Sequence, residues 1–84
     1  MICLYEHPEC RMEDRHGMRE RGLHGINHFG IRVADRQAWE SVLEKEKVPV
    51  LYGGPISWPH STSWYVQDPT GWEIEVAAWD GDIV

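Results

Sequence analysis

The chain has 84 residues, of which 14 are acidic and 8 are basic, giving a net charge of -6. So short a chain forms one domain and buries a small share of its surface, so we expect a partner chain or a metal to add stability. The negative charge argues against nucleic acid as a partner. Two cysteines without a paired spacing, no leader-like opening and no apolar run of about 18 residues indicate a reduced, cytoplasmic protein with no membrane partner.

The composition of the chain changes near residue 25. Residues 7–22 are dense in charge and poor in aliphatic side chains, whereas everything after Ile26 follows a regular apolar pattern. The basic residues of the first part alternate with acidic ones, which is typical of a solvated linker or helix face rather than of a binding arm. We therefore predict a charged linker within residues 1–22 and a folded module over residues 23–84.

The patterned part begins with a strand and a helix. From 26 to 34, apolar residues alternate with a second set that includes His28 and Arg32, which predicts a strand with one core-facing side. Asp35 has the side chain to cap a helix, and apolar residues recur at helical spacing before Pro49. This predicts one helix of about three turns.

Three further strands are predicted at 48–52, 62–67 and 72–77. Two glycines and a proline close the first of them. The last two flank Asp68-Pro69-Thr70-Gly71, which has the residues of a type I turn and predicts a hairpin. Alternation in this hairpin places one set of side chains on the face opposite its apolar residues: Ser63, Tyr65, Glu73, Glu75 and Ala77.

This order predicts an α+β fold, namely a single β-α-β-β-β module with a curved mixed sheet and the helix on one face. The uncovered face would then form a cup that contains His28 and Glu75. Imidazole and carboxylate suit Zn, Fe, Mn, Ni or Co, and a site with few protein ligands leaves positions for a bidentate oxygen substrate. The alternative is a hydrogen-bonded structural histidine and a solvent-facing glutamate. The predicted lining of the cup is His28, Arg32, Ser63, Tyr65 and Glu75.

Two stretches resemble the C-terminal module of the vicinal oxygen chelate superfamily, which includes glyoxalases, bleomycin resistance proteins and extradiol dioxygenases. They are GINHFGIRV at 25–33 and SWYVQDPTGWEIEV at 63–76. In that family a histidine near the start of the first strand and a glutamate after an Asp-Pro-x-Gly turn hold a divalent metal. The resemblance, which covers roughly residues 23–80, implies that His28 and Glu75 are metal ligands.

The resemblance also implies that part of the usual architecture is missing, because members of the family commonly carry two such modules in one chain. Residues 2–7 are similar to the final strand of a preceding module, with Glu6 at the position of a further metal ligand. A fraying terminal strand without a role is the alternative for Glu6. An open sheet edge and half a site favour symmetric pairing, so we expect a homodimer in which two modules pair.

Two aromatic residues of the loop after the second strand are candidates for the pocket. Trp58 could line its mouth, and His60 could carry a proton or add a ligand, since an unperturbed imidazole titrates near neutral pH. Ordinary surface packing and an uninvolved loop histidine are the alternatives. Tyr65 could orient a substrate or simply pack in its strand. No phosphate loop, nucleophile elbow or zinc-finger spacing is present, so no catalytic residue is assigned.

Three functions are compatible with these features. The pattern favours a glyoxalase- or dioxygenase-like, metal-dependent protein that acts on a small molecule with vicinal oxygens, with lyase, isomerase and dioxygenase chemistry all open. The first alternative is a metal-free protein of the same fold that binds a drug-like or aromatic molecule. The second is an orphan module without catalytic activity. One fold supports many reactions, so the substrate stays unidentified.

Overall fold

A computed structural model describes residues 7–80 of the chain. A short helix comes first, followed by a β-α-β-β-β unit. Within these residues no helix is long and apolar enough to cross a membrane. Glu6 and nearly all of the predicted N-terminal strand lie outside the described residues. The elements are α1 (Arg15–Glu20), β1 (Phe29–Val33), α2 (Arg36–Lys45), β2 (Ile56–Trp58), β3 (Ser61–Gln67) and β4 (Glu73–Trp79).

The four strands form one mixed sheet in the order β1-β4-β3-β2. β1 runs parallel to β4, and the β3–β4 and β2–β3 pairs are antiparallel. β4 therefore lies inside the sheet, between β1 and β3. This confirms the predicted α+β fold with a single β-α-β-β-β module and a mixed sheet.

One face of the sheet holds the core. Phe29 lies opposite Ile74 across the β1–β4 pair, and Trp64 lies opposite Val76 across the β3–β4 pair, so the alternating apolar residues of three strands share this face. Trp64 is 3% exposed and Val76 is fully buried. The guanidinium of Arg36, in α2, lies 5.2 Å from the centre of the Trp64 ring. The helix therefore contacts this face, as predicted.

Two aspartates fix the local geometry that the sequence predicts. The Asp35 carboxylate accepts a hydrogen bond from the Ala38 backbone N–H at 3.0 Å and caps α2. The Asp68 carboxylate accepts from the backbone N–H groups of residues 70, 71 and 72 at 2.8–3.0 Å, and the Gly71 N–H also donates to the Asp68 carbonyl. The tight turn after β3 is thereby held by one side chain.

The prediction of a strand at 48–52 is wrong. Tyr52 has φ of 58°, and the glycine pair that follows it also has positive φ, so the chain turns away from an extended path here. The segment keeps one sheet-like bond, from the Leu51 N–H to the Tyr65 carbonyl at 2.8 Å. The second strand forms later, at Ile56–Trp58, because the turn residues override the apolar pattern.

Candidate metal centre

The face of the sheet opposite α2 brings His28 and Glu75 together. The parallel register sets Gly30 beside Glu75, so the residue just before β1 lies next to the middle of β4. The Nε2 atom of His28 is 2.9 Å from Oε1 of Glu75, across 47 residues of chain. Each of the two side chains is 25% exposed. The pair is thus partly buried on this face of the sheet but remains open to a ligand.

Glu75 has a polar environment that keeps it ionised. The Ser63 hydroxyl donates to Oε2 of Glu75 at 2.7 Å, which leaves Oε1 to face His28. Burial by itself raises the pKa of Glu75, but the hydrogen bonds from Ser63 and His28 outweigh it and hold the pKa below its usual range. Burial and the Glu75 charge raise the pKa of Tyr65, whose phenol therefore stays protonated. The Tyr65 ring meets the His28 ring edge-on at 5.6 Å.

The second nitrogen of His28 is constrained by Asn27. Nη1 of Arg15 donates to the side-chain oxygen of Asn27 at 2.8 Å, and that same oxygen contacts Nδ1 of His28. A guanidinium has no acceptor, so the Asn27 atom that faces it is the oxygen and not the amide nitrogen. Two acceptors do not bond each other, and Nδ1 of His28 must therefore carry a proton.

The contact between His28 and Glu75 is one that a metal ion could replace. The Glu75 carboxylate can only accept, so Nε2 of His28 donates to Oε1, and their separation of 2.9 Å is that of an ordinary hydrogen bond. Once that proton is lost, an imidazole nitrogen and a carboxylate oxygen face each other, and both are atom types that bind divalent metal ions.

The described residues provide two ligands of such a site and not more. No group of three or more His, Cys, Asp or Glu side chains within residues 7–80 is placed to hold a metal ion. The third predicted ligand, Glu6, lies outside this range. A complete coordination shell would therefore draw on Glu6 or on another chain.

The predicted pocket residues all lie around Glu75. An open cavity of about 360 Å³ is lined by Trp58, His60 and Glu75, and a second of about 230 Å³ is lined by Arg32 and Glu75. Ser63 bonds the Glu75 carboxylate, and Tyr65 lies directly opposite Glu75 in the β3–β4 register. Four of the predicted pocket residues therefore share the face of Glu75, namely Arg32, Trp58, Ser63 and Tyr65, and His60 lies in the turn between β2 and β3.

Sequence reasoning missed Trp79, which lines both cavities. It is 43% exposed and lies on the same face of β4 as Glu75, four residues further along the strand. The signal was present, because positions 75, 77 and 79 are in phase in a strand. The predicted strand ended at Ala77, and Trp79 was therefore left outside the pattern.

A second missed group surrounds Glu73, which is 4% exposed. Nε of Arg15 lies 2.9 Å from a Glu73 carboxylate oxygen, and the Tyr52 hydroxyl donates to the other oxygen. Burial and the hydrogen bond to Glu73 raise the pKa of Tyr52. The alternation of the last strand placed Glu73 on the same face as Glu75. Nothing in the sequence, however, indicated a contact of Glu73 with Arg15 or Tyr52.

No family model matches the chain, and no match was found among curated proteins. Among solved structures, the chain is similar to the crystal structure of lactoylglutathione lyase from Agrobacterium tumefaciens, with 31% sequence identity and a TM-score of 0.51. The similarity covers 64% of this chain and 42% of the lyase chain, so the matched part is less than half of that protein. It supports a glyoxalase-like fold, the fold of the vicinal oxygen chelate superfamily, for this chain.

Proposed function

We propose that the chain is a glyoxalase-like, metal-dependent protein that acts on a small molecule with vicinal oxygens. The observation that carries this proposal is the approach of Nε2 of His28 to Oε1 of Glu75, 2.9 Å apart and both partly exposed. An imidazole nitrogen and a carboxylate oxygen are atom types that bind divalent metal ions, which supports a shared ion at this position. The similarity to a lactoylglutathione lyase supports the same conclusion independently.

The remaining ligands are proposed to come from Glu6 or from a second copy of the chain. Only 42% of the lyase chain is matched by this one module, and we propose that a second module is supplied by a second copy of the chain in a homodimer. The donor set of imidazole and carboxylate suits Zn, Fe, Mn, Ni or Co. A reduced, cytoplasmic setting is also proposed, and the free and exposed Cys10 is compatible with it.

The side chains around the pair have separate tasks in this proposal. A bound divalent ion would supply Lewis acidity toward the two oxygens of the substrate. Ser63 holds one carboxylate oxygen of Glu75 and so directs the other toward His28. The protonated phenol of Tyr65 offers a hydrogen bond to an oxygen in the cup. Lyase, isomerase and dioxygenase chemistry all stay open in this proposal.

We expect His28→Ala and Glu75→Gln each to lower Zn²⁺ affinity by on the order of 100-fold or more, because each removes a ligand and even supporting residues are worth about 10–100-fold. Isothermal titration of the metal-free protein measures this directly. His24→Ala is the matched control, since His24 is exposed and lines a cavity that includes neither His28 nor Glu75. Unchanged affinity in both ligand variants would refute the proposed site.

Native mass spectrometry of untagged protein reports the source of the missing ligands. One ion per dimer supports a site shared by two copies of His28 and Glu75. One ion per chain that is lost in Glu6→Gln supports Glu6 as the further ligand. Protein that stays free of metal after Zn²⁺, Ni²⁺, Mn²⁺ and Fe²⁺ are added contradicts the proposed function.

A second candidate function, metal-free binding of a flat apolar molecule, is favoured by two tryptophans. Trp58 pairs with Ser61, and Ser61 pairs with Trp79, so the three residues lie side by side across three strands. The two indoles are 49% and 43% exposed. Their strands are separated by about 10 Å, twice the usual spacing, which leaves room for a planar ring to contact an indole on each side.

We expect Trp58→Ala and Trp79→Ala each to weaken binding of naphthalene-2-sulfonate about tenfold, the equivalent of about 1.4 kcal/mol per stacked ring. Equilibrium dialysis measures this with and without added metal. If metal-free binding is the function, His28→Ala binds this probe normally and 2,3-dihydroxynaphthalene gains nothing from metal. If the metal-dependent function is correct, the diol binds more tightly when metal is present and this gain is lost in His28→Ala.

A further inference from the structure

A cavity of about 670 Å³ is lined by α1 and by residues 22–27, and neither His28 nor Glu75 contributes to it. Its volume falls in the range of small-molecule sites, about 300–1,000 Å³. Among the residues that the structure describes, no aspartate or glutamate lines this cavity, although the chain has 14 acidic residues. Two arginines and two histidines do, namely Arg15, His16, Arg19 and His24.

Two of these four side chains are held in place by other parts of the protein. Nη1 of Arg15 donates to the side-chain oxygen of Asn27 at 2.8 Å, and Nη2 donates to the Tyr52 hydroxyl at 2.6 Å. Nε2 of His16 lies 3.1 Å from the same hydroxyl. The positive charge of Arg15 is balanced by the buried carboxylate of Glu73. These contacts preform one wall of the cavity but add little net charge to it.

The other two side chains are those of Arg19 and His24, which are both exposed. Neither makes a side-chain hydrogen bond or an ion pair with any residue between 7 and 80. Glu13, a carboxylate near the start of α1, is paired with Arg21 at 3.2 Å instead. Arg19 therefore brings to the cavity a positive charge and five N–H donors that no described carboxylate neutralises.

The spacing on α1 directs both arginines to one ligand. Arg15 and Arg19 are four residues apart in a helix, so their side chains lie on the same face. Like charges at this spacing weaken a helix, and an anion between them removes that cost. A negatively charged group in the cavity thus meets a fixed guanidinium from Arg15 and an adaptable one from Arg19.

We propose that this cavity is a binding site for a phosphate monoester of a small organic molecule. A phosphate group has a charge of about -1.5 to -2 at neutral pH and three acceptor oxygens, which match two guanidinium groups and two imidazole rings. Met18 and Leu23, which also line the cavity, contact the organic part. The net charge of -6 disfavours long polyanions, so the ligand is small. The site does not depend on the proposed metal function.

Isothermal titration of phenyl phosphate into the metal-free protein tests this site. We expect Arg19→Gln to weaken binding about tenfold, because it removes a hydrogen bond between two charged groups. Arg11→Gln is the matched control, since Arg11 is exposed and does not line the cavity, and its affinity is expected to be unchanged. Arg19 is exposed, so the variant is expected to fold, and far-UV circular dichroism checks this.

Two further probes define the chemistry of the ligand. Benzoate has a single charge and two oxygens, and we expect it to bind more weakly than phenyl phosphate. Benzyl alcohol has the ring without the charge and is expected not to bind. A high concentration of NaCl should weaken the binding of phenyl phosphate, because exposed charges are screened by salt.

The outcomes separate this inference from the proposed function. Glu75→Gln removes a proposed metal ligand but no residue of the cavity, so this variant should bind phenyl phosphate normally. The inference is overturned by loss of phenyl phosphate binding in Glu75→Gln, by equal affinities of Arg19→Gln and the unaltered protein, by tighter binding of benzoate, or by no binding. Phenyl phosphate binding that depends on Arg19, in a protein that binds no metal, confirms the inference and contradicts the metal-dependent function.

Discussion

Replacing Trp64 with alanine is expected to leave the protein largely unfolded at room temperature. Trp64 is 3% exposed and lies opposite the fully buried Val76, and the Arg36 guanidinium stacks over its ring. Truncating a buried tryptophan costs about 3–5 kcal/mol, and a core this small rarely supplies more than about 3–5 kcal/mol of net stability. Urea denaturation followed by far-UV circular dichroism measures the change without relying on tryptophan fluorescence.

Trp58→Ala is the matched control for this experiment. It is the same chemical change in the adjacent part of the sheet, but Trp58 is 49% exposed. We expect its free energy of unfolding to stay within about 1 kcal/mol of the unaltered protein, since little buried contact is lost. If the two variants lose equal stability, the core does not lie on the α2 side of the sheet.

Arg15→Ala is expected to lower the free energy of unfolding by about 3 kcal/mol. The change leaves the Glu73 carboxylate, which is 4% exposed, without its positive partner. Removing one member of a buried ion pair costs about 3–5 kcal/mol because the other charge remains in a poorly solvated position. The Arg15 side chain is 23% exposed, and solvent screening therefore places the expected loss at the lower end of that range. Chemical denaturation of the metal-free protein measures it.

Arg21→Ala provides the comparison for Arg15. Arg21 pairs with Glu13 at 3.2 Å, but these side chains are 66% and 38% exposed, and such pairs contribute about 0–1 kcal/mol. The double variant Arg15→Ala/Glu73→Gln removes both charges and should recover part of the stability lost in Arg15→Ala. If Arg15→Ala proves as mild as Arg21→Ala, Glu73 is solvated in solution and the buried pair does not form.

Local patterns were sufficient to predict most of the fold. Asp35 and Asp68 satisfy backbone donors within four residues, so their roles are readable from their neighbours alone. Strand alternation placed His28 and Glu75 on one face, and the contact of 2.9 Å between their side chains confirms that shared face. The strand predicted at 48–52 failed because a left-handed turn, beginning at Tyr52, outweighs an apolar run of five residues.

The contacts around Glu73 were not predictable from the sequence, and the reason is physical. Arg15 lies in a segment where basic and acidic residues alternate, a pattern that normally marks a solvated surface. Tyr52 lies in a turn whose course depends on positive φ. Glu73 is separated along the chain by 58 residues from Arg15 and by 21 residues from Tyr52. The periodicity of a sequence carries no information about contacts over such distances.

The central position of β4 has a consequence for the order of folding. β1 hydrogen-bonds to β4 and to no other strand among the described residues, although the two are separated by α2, β2 and β3 along the chain. During synthesis β1 therefore has no strand to pair with until β4 has emerged from the ribosome, and closing so long a loop is slow. The His28–Glu75 pair is thus among the last contacts to form, and a nascent chain that ends before β4 exposes an unpaired strand to aggregation.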